Sequence, residues 1–214
     1  MGLRLQKATI WDLKPLAKLH FAVFLEIDLF ERRLYPDGLT KKLLDETFEK
    51  WRPAIENEEK QIWMKMVAPN GTIVAYARWW IDGQEDLAVE EPPPHTEGAS
   101  DDQVAAEDLQ DESHKLSTES MAAHIKEEKY LFLAPLITAA GYRGQGCGKT
   151  LLKWGSEYAK EHGLQCYLLA IPGAKEFYLK HGFEVLGSSG GDLARGTGRG
   201  GGAKPLENTL MRLI

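Results

Sequence analysis

Tyr142-Arg143-Gly144-Gln145-Gly146-Cys147-Gly148-Lys149-Thr150 separates an apolar run, Tyr130 to Thr138, from an amphipathic run of about Gly148 to His162. Three alternating glycines let a backbone turn tightly and approach a ligand without side-chain hindrance. The helix predicted to follow offers unpaired N–H groups and a partial positive charge at its first turn. Together they form an anion cradle, with Arg143 and Lys149 adding charge. A Walker A loop needs glycine five positions before Gly148-Lys149-Thr150, and Arg143 stands there. A GxGxxG dinucleotide turn starting at Gly144 needs glycine at 149, where there is lysine. Both nucleotide readings fail on these positions.

The segments around the loop supply the architecture. Leu3 to Lys7 alternates as a short edge strand. Asp12 is expected to cap a helix carrying Leu16, Leu19, His20, Val23, Phe24 and Ile27, with Pro15 in its first turn. Thr40 opens a second helix through Leu43, Leu44, Thr47, Phe48 and Trp51. Ile62–Val67 and Thr72–Trp80 read as strands joined by the hairpin turn Pro69-Asn70-Gly71. Tyr130 to Thr138 is a strand interrupted by Pro135, which cannot donate to a ladder and so marks a bulge or a departure from its neighbour. Cys166–Ala170 is a strand and about Ala174 to His181 a helix stopped by Gly182. Phe183–Leu186 and Glu207–Leu213 are strands, and Gly187 to Gly202, with eight glycines, is a loop. A hairpin first and helix-linked strands later give a mixed-sheet α/β fold.

Composition excludes several classes. At 214 residues, 43% hydrophobic and 27% charged, the chain reads as one globular domain over 1–214, with no need of a disulfide or metal staple. No apolar run approaches the roughly 20 residues that span a bilayer. Cys147 and Cys166 form no framework, so a reduced, cytoplasmic setting is expected, the nucleus remaining open. His20, His124, His162 and His181 lack metal-ligand spacing, and no metal is expected. No basic–aromatic stripe suggests nucleic acid. Twelve acids and no Lys or Arg fall between Trp79 and His114, leaving 20 acids against 26 bases elsewhere, so the remainder can attract an anion despite the net charge of −6. Residues 83–117 are expected to be an acidic, partly disordered insertion, and 187–204 a Gly-rich loop.

With Arg143-Gly144-Gln145-Gly146-Cys147-Gly148 as an Arg-x-x-Gly-x-Gly turn, Leu136-Ile137-Thr138 ending a strand before it and Phe177-Tyr178-Leu179-Lys180-His181-Gly182-Phe183 after it, the sequence resembles the GNAT N-acetyltransferase superfamily. The resemblance implies a mainly antiparallel central sheet, with a parallel splayed pair at the cofactor site and flanking helices. It implies acetyl-CoA as cosubstrate and transfer of its acetyl group to an amine. On that reading Leu136, Ile137 and Thr138 pair with the peptide-like pantetheine arm. Arg143, Gly144, Gln145, Gly146, Cys147, Gly148, Lys149 and Thr150 hold the pyrophosphate, and Lys175 joins the cofactor side. A backbone N–H near Leu136 polarises the thioester carbonyl. Tyr178 protonates the departing thiolate.

The sequence departs from the family at two places. The region Ala170-Ile171-Pro172-Gly173 lacks the asparagine that often contacts pantetheine, and Tyr130 to Thr138 contains no acid to act as base. Asp82, Glu85, Glu127 and Glu128 are the nearby acids, and none is assigned. A small-molecule amine is the expected acceptor, and homodimer formation is left open. A catalytically silent acyl-CoA sensor and a protein N-acetyltransferase are the rivals. Trp79 and Trp80 point to opposite faces of their strand, one toward core and one available to an acceptor pocket. Phe21, Phe24 and Phe30 fall on the acceptor side by the same resemblance, although core packing is the better reading of them. Cys147 reads as a small filler.

Overall fold

The computed structural model describes residues 2–27, 29–83, 99–188 and 208–214. These belong to two compact units. The first is Met1–Ile81 with Leu131–Leu164, and the second Asp82–Tyr130 with Gln165–Ile214. The architecture is mixed α/β with mainly antiparallel strand pairing, as expected from the sequence.

In the first unit, β1 (Arg4–Lys7) pairs antiparallel with β2 (Gln61–Val67), from Arg4 opposite Val67 to Lys7 opposite Met64. β2 pairs antiparallel with β3 (Ile73–Gly83), and the register shifts between Met66 and Val67. The hairpin turn is the expected one: Gly71 has φ 86°, and Asn70 Oδ1 accepts from Thr72 N at 3.1 Å. β4 (Lys129–Thr138) neighbours β3. Helices α1 (Leu13–Ile27), α2 (Leu29–Leu34) and α3 (Lys41–Glu56) follow β1 in the chain. Thr40 caps α3, its hydroxyl accepting from Leu43 N at 3.1 Å. Leu13, Leu16, Leu19 and Val23 of α1 bury one helical stripe with Ile55, Trp63, Tyr76 and Ile137. Removing each such aliphatic side chain from water contributes about 1.5–3 kcal/mol.

Asp12 plays a different part from the expected cap. It ends the 3-10 turn Ile10–Asp12, and its Oδ2 accepts from Thr9 N at 2.8 Å and Thr9 Oγ1 at 3.0 Å. Its Oδ1 meets Lys65 Nζ, so the carboxylate ties the start of α1 to β2. Helix α5 (Cys147–His162) ends at Gly163, φ 65°. Gly155 on α5 is where the helix meets the Trp79 ring.

In the second unit, β5 (Gln165–Ala170) pairs antiparallel with β7 (Thr209–Leu213), and β7 with β6 (Phe183–Ser188). α6 (Lys175–Leu179) precedes β6 after a 3-10 turn, Pro172–Ala174. The sequence reading places no element in the acidic stretch, yet Asp101–His124 forms a 24-residue helix, α4. Ser100 and Gln103 make a capping box, with Gln103 N to Ser100 Oγ at 3.3 Å and Ser100 N to Gln103 Oε1 at 2.9 Å. Asp101 and Asp102 in its first turn suit the positive end of the dipole. Its buried residues are Ala106, Ser117 and Thr118, too small and polar to write an apolar stripe, which is why periodicity does not reveal it. Residues 84–98 of the expected insertion and 189–204 of the expected glycine loop lie outside the described residues.

Candidate functional site

β4 delivers the chain to the glycine loop. Ile137 is 3% exposed and packs into the α1 core, while Leu136 and Thr138 alternate to the other face and are half-buried. Ile137 is therefore fixed by packing, and its neighbours are the ones free to offer strand edge and side chain. Ala139 N then donates to Val74 O at 2.9 Å, pinning the exit of the strand to β3. The chain closes a 3-10 turn, Ala140–Tyr142, and Gln145 Nε2 folds back onto Gly141 O at 2.8 Å.

The loop geometry accounts for its glycines. Gly144 has φ 76° and Gly146 φ 84°, conformations that side chains rarely adopt. A β-carbon built on either would touch nothing within 4 Å. Packing thus does not demand glycine here; the turn demands it, and the open space beside the backbone is what a ligand could use. Gly146 is also the N-cap of α5 and brings no side chain to satisfy the first helical turn. The first bond back along the helix runs from Thr150 N to Gly146 O, so the N–H groups of Cys147, Gly148 and Lys149 precede it. Three N–H groups at the positive end of a 16-residue helix can take an anion.

Arg143 stands at the edge of this cradle. Its side chain is 44% exposed, with Nη2 3.5 Å from Glu26 Oε2 and Nε 3.4 Å from Thr138 O. Both contacts are long and solvated, so they hold the guanidinium loosely near the loop and leave it able to turn to a phosphate. Lys149 is exposed on the first turn, Thr150 is half-buried, and Gln145 uses its amide within the turn. Cys147 is 1% exposed and burial pushes its thiol up, as befits a filler. The structure brings Leu136, Ile137, Thr138 and Arg143 to Thr150 together in the first unit. A pyrophosphate-bearing group fits these residues: glycine backbone, open space, free N–H groups and two cations.

Tyr178 and Lys175 are in the second unit, on α6. Tyr178 is 7% exposed, with its ring edge-on to Phe177 at 5.2 Å and Phe183 at 5.8 Å. Burial, with the Cys166 thiol beside it, pushes the phenol up, so it stays protonated at neutral pH. Lys175 is half-buried at the first position of the helix. Of the unassigned acids, Glu127 accepts from Tyr167 Oη at 2.6 Å. Burial opposes its charge, but the Tyr167 hydroxyl, backbone N–H groups and Arg212 outweigh that and lower its pKa. That committed hydrogen bond makes it a poor free base. Glu128 is exposed, and Glu85 and the Asp82 side chain lie outside the described residues.

Sequence reasoning missed Arg78. Its Nε donates to Ala134 O at 2.9 Å, and its guanidinium lies 5.1 Å from the Trp63 ring and 4.7 Å from the Trp80 ring. Alternation on β3 places Tyr76, Arg78 and Trp80 on one face, a signal present in the sequence but without any hint of the Ala134 contact. On the same face, His20 Nδ1 and Tyr76 Oη are 2.8 Å apart, and the His20 ring meets Phe24 and Trp51. A separate cleft of about 640 Å³ in this unit, with the Lys65–Asp12 pair in its lining, takes in none of the predicted site residues. Among the described residues no group of acids, histidines and cysteines could hold a metal, and no helix is long and apolar enough to cross a membrane.

The sequence profile of the acetyltransferase (GNAT) family matches residues 25–183, about three quarters of the chain. The chain belongs to the acetyltransferase (GNAT) family. Its fold is shared with solved members. The Drosophila melanogaster polyamine N-acetyltransferase has a TM-score of 0.64 at 10% identity, covering 98% of each chain. A mutant agmatine N-acetyltransferase, solved in its apo form, also reaches 0.64, at 12% identity, over 99% of this chain and 98% of the other. A PaiA N-acetyltransferase from Thermoplasma acidophilum, solved with coenzyme A, gives 0.54 at 13% identity over the whole of both. No curated protein sequence matches significantly. This GNAT acetyltransferase therefore shares its fold with enzymes whose sequences have diverged almost fully from its own.

Proposed function

We propose that this acetyltransferase moves an acetyl group from acetyl-CoA to a primary amine of a small molecule, by direct transfer. The observation that carries the reading is the open glycine cradle at Gly144 and Gly146, capping α5 with unpaired N–H groups directly after β4. Acetyl-CoA would supply both a pyrophosphate for that cradle and an activated acyl carbon. Arg143 and Lys149 add charge to the pyrophosphate side, Lys175 is a further cofactor contact, and the Leu136–Thr138 edge receives the amide-rich arm.

The reaction is then an acyl exchange. The neutral amine nitrogen attacks the thioester carbonyl carbon, and the carbonyl oxygen gathers negative charge toward the Leu136 N–H. The C–S bond breaks, the thiolate takes the Tyr178 proton, and the ammonium proton passes to water, from which Tyr178 regains one before the next turnover. Tyr178, a phenol that is protonated at neutral pH, carries the proton this step needs. The small-molecule acceptor is supported by the agmatine and polyamine acetyltransferases among the fold relatives. Two buried free thiols suit a reducing, cytoplasmic setting.

Incubating the protein with acetyl-CoA and a panel of amines, while following free thiol, tests the reading. Release that depends on a small amine supports it. Tight acetyl-CoA binding without release for any amine would mark an acyl-CoA sensor, and release only with peptides would mark a protein acetyltransferase.

A further inference from the structure

We propose that Arg78 is a positioning residue for acetyl transfer, holding β4 at Ala134, just before Pro135, so that the Leu136 N–H meets the thioester oxygen. The inference rests on the acetyl-transfer reading above and adds to it a residue that lies outside every family motif in this sequence.

Pro135 has no N–H, so the β4 ladder loses a donor there. The carbonyl immediately before it, Ala134 O, accepts from Arg78 Nε at 2.9 Å, with donor and acceptor 56 residues apart in sequence. The guanidinium that makes this bond stacks against Trp63 and Trp80, at 5.1 Å and 4.7 Å from the ring centroids. Trp63 is 2% exposed and itself meets the rings of Trp51 and Tyr76, so this wall of the clamp is part of the core and cannot swing away. A guanidinium stays protonated at every working pH, and its planar fork keeps a fixed direction. Holding the Ala134 carbonyl fixes the plane of the Ala134–Pro135 peptide. The Pro135 ring fixes its φ, so only the ψ of Pro135 separates that plane from the next N–H, at Leu136.

Beyond Leu136 the chain is held again, by the burial of Ile137 and by Ala139 N on Val74 O at 2.9 Å. Leu136 thus sits between two fixed points, and Arg78 supplies the upstream one. A donor aimed at developing charge must be placed to within a fraction of an ångström, and a misplacement of about 1 Å can cost about 100-fold in rate. Cofactor affinity comes mainly from the cradle after β4, so loss of the clamp should slow the transfer step far more than it weakens coenzyme A binding.

The test uses the full-length protein with Arg78→Lys, which keeps a cation between the two tryptophans, and Arg78→Gln, which removes it. Thermal melting, coenzyme A affinity, kcat and the backbone amide resonance of Leu136 are measured for each. Both variants should bind coenzyme A within about threefold of the parent and lose about 10- to 100-fold in kcat. In the parent, the Leu136 resonance should differ between the coenzyme A and acetyl-CoA complexes, and that difference should vanish in both variants. Arg78→Lys that folds, keeps kcat within about twofold and retains the Leu136 response overturns the proposal. If the resonances of Gly144 to Lys149 ignore coenzyme A in the parent protein, the cofactor reading fails instead, which keeps the two failures apart.

Discussion

The Trp79 ring fills the space that a β-carbon on Gly155 would occupy, so α5 can approach β3 only because position 155 is glycine. Trp79 is fully buried and also meets Trp154 on the same helix. Gly155→Ala gains about 1 kcal/mol of helix propensity but drives a methyl group into a rigid indole. The net loss should be about 1–3 kcal/mol, a fall of several degrees in melting temperature for a chain of this size. Gly187→Ala, whose β-carbon would press on the exposed His124 ring, should cost clearly less, because that side chain can turn aside. Equal melting temperatures for Gly155→Ala and the parent would contradict this packing.

The cradle should separate binding from folding. Gly146→Val places a side chain at φ 84°, a conformation that costs about 1–3 kcal/mol, but meets no neighbour. The protein should fold, melt a few degrees lower and lose detectable affinity for coenzyme A in calorimetry. Arg143→Ala, acting on a half-exposed contact, should weaken binding by only about 1–3 kcal/mol. Unchanged affinity in both variants would remove the cofactor assignment.

Tyr178→Phe should leave the packing against Phe177 and Phe183 intact and remove only the proton. A fall in kcat of about 10²- to 10⁴-fold, with the coenzyme A dissociation constant nearly unchanged, is the expected signature of a general acid. A variant with full kcat would leave the tyrosine as packing.

His20 should make folding stability depend on mildly acidic pH. Burial, with a smaller contribution from Arg78, lowers its pKa from 6.5 to about 4. Between those values the unfolded chain binds a proton that the folded protein refuses. Stability is therefore fully present above about pH 6.5 and declines as pH falls toward 4, by roughly 3 kcal/mol in all. Urea melts at pH 7.5, 6, 5 and 4.5 should trace this slope. His20→Gln should lower stability at pH 7.5 and flatten the pH dependence, since glutamine does not titrate. A parent whose midpoint is constant from pH 7 to 5 would show that His20 is not held neutral.

Much of this protein is decided by local chemistry, and the sequence displays it. Asn70-Gly71 makes its hairpin because the turn needs φ above zero, and Thr40 caps α3 because its hydroxyl reaches Leu43 N three residues on. The glycine pattern from 144 to 148 sets the loop and the bare N-terminus of α5 for the same reason: each is settled within one turn of chain. Helix α4 lay beyond that reach because Ala106, Ser117 and Thr118 bury a face with no apolar stripe, and only packing reveals it. Arg78 on Ala134, His20 on Tyr76 and Trp79 over Gly155 join residues 56, 56 and 76 positions apart. Strand alternation could put Arg78 on a face, but which carbonyl it clamps depends on how β4 runs beside β3 at Pro135. The sequence by itself therefore determined most of the elements, α4 excepted, and the glycine turn that opens α5. Tertiary structure alone decided what the strand carrying Leu136 is held against, because such contacts depend on distances in space that residue spacing does not encode.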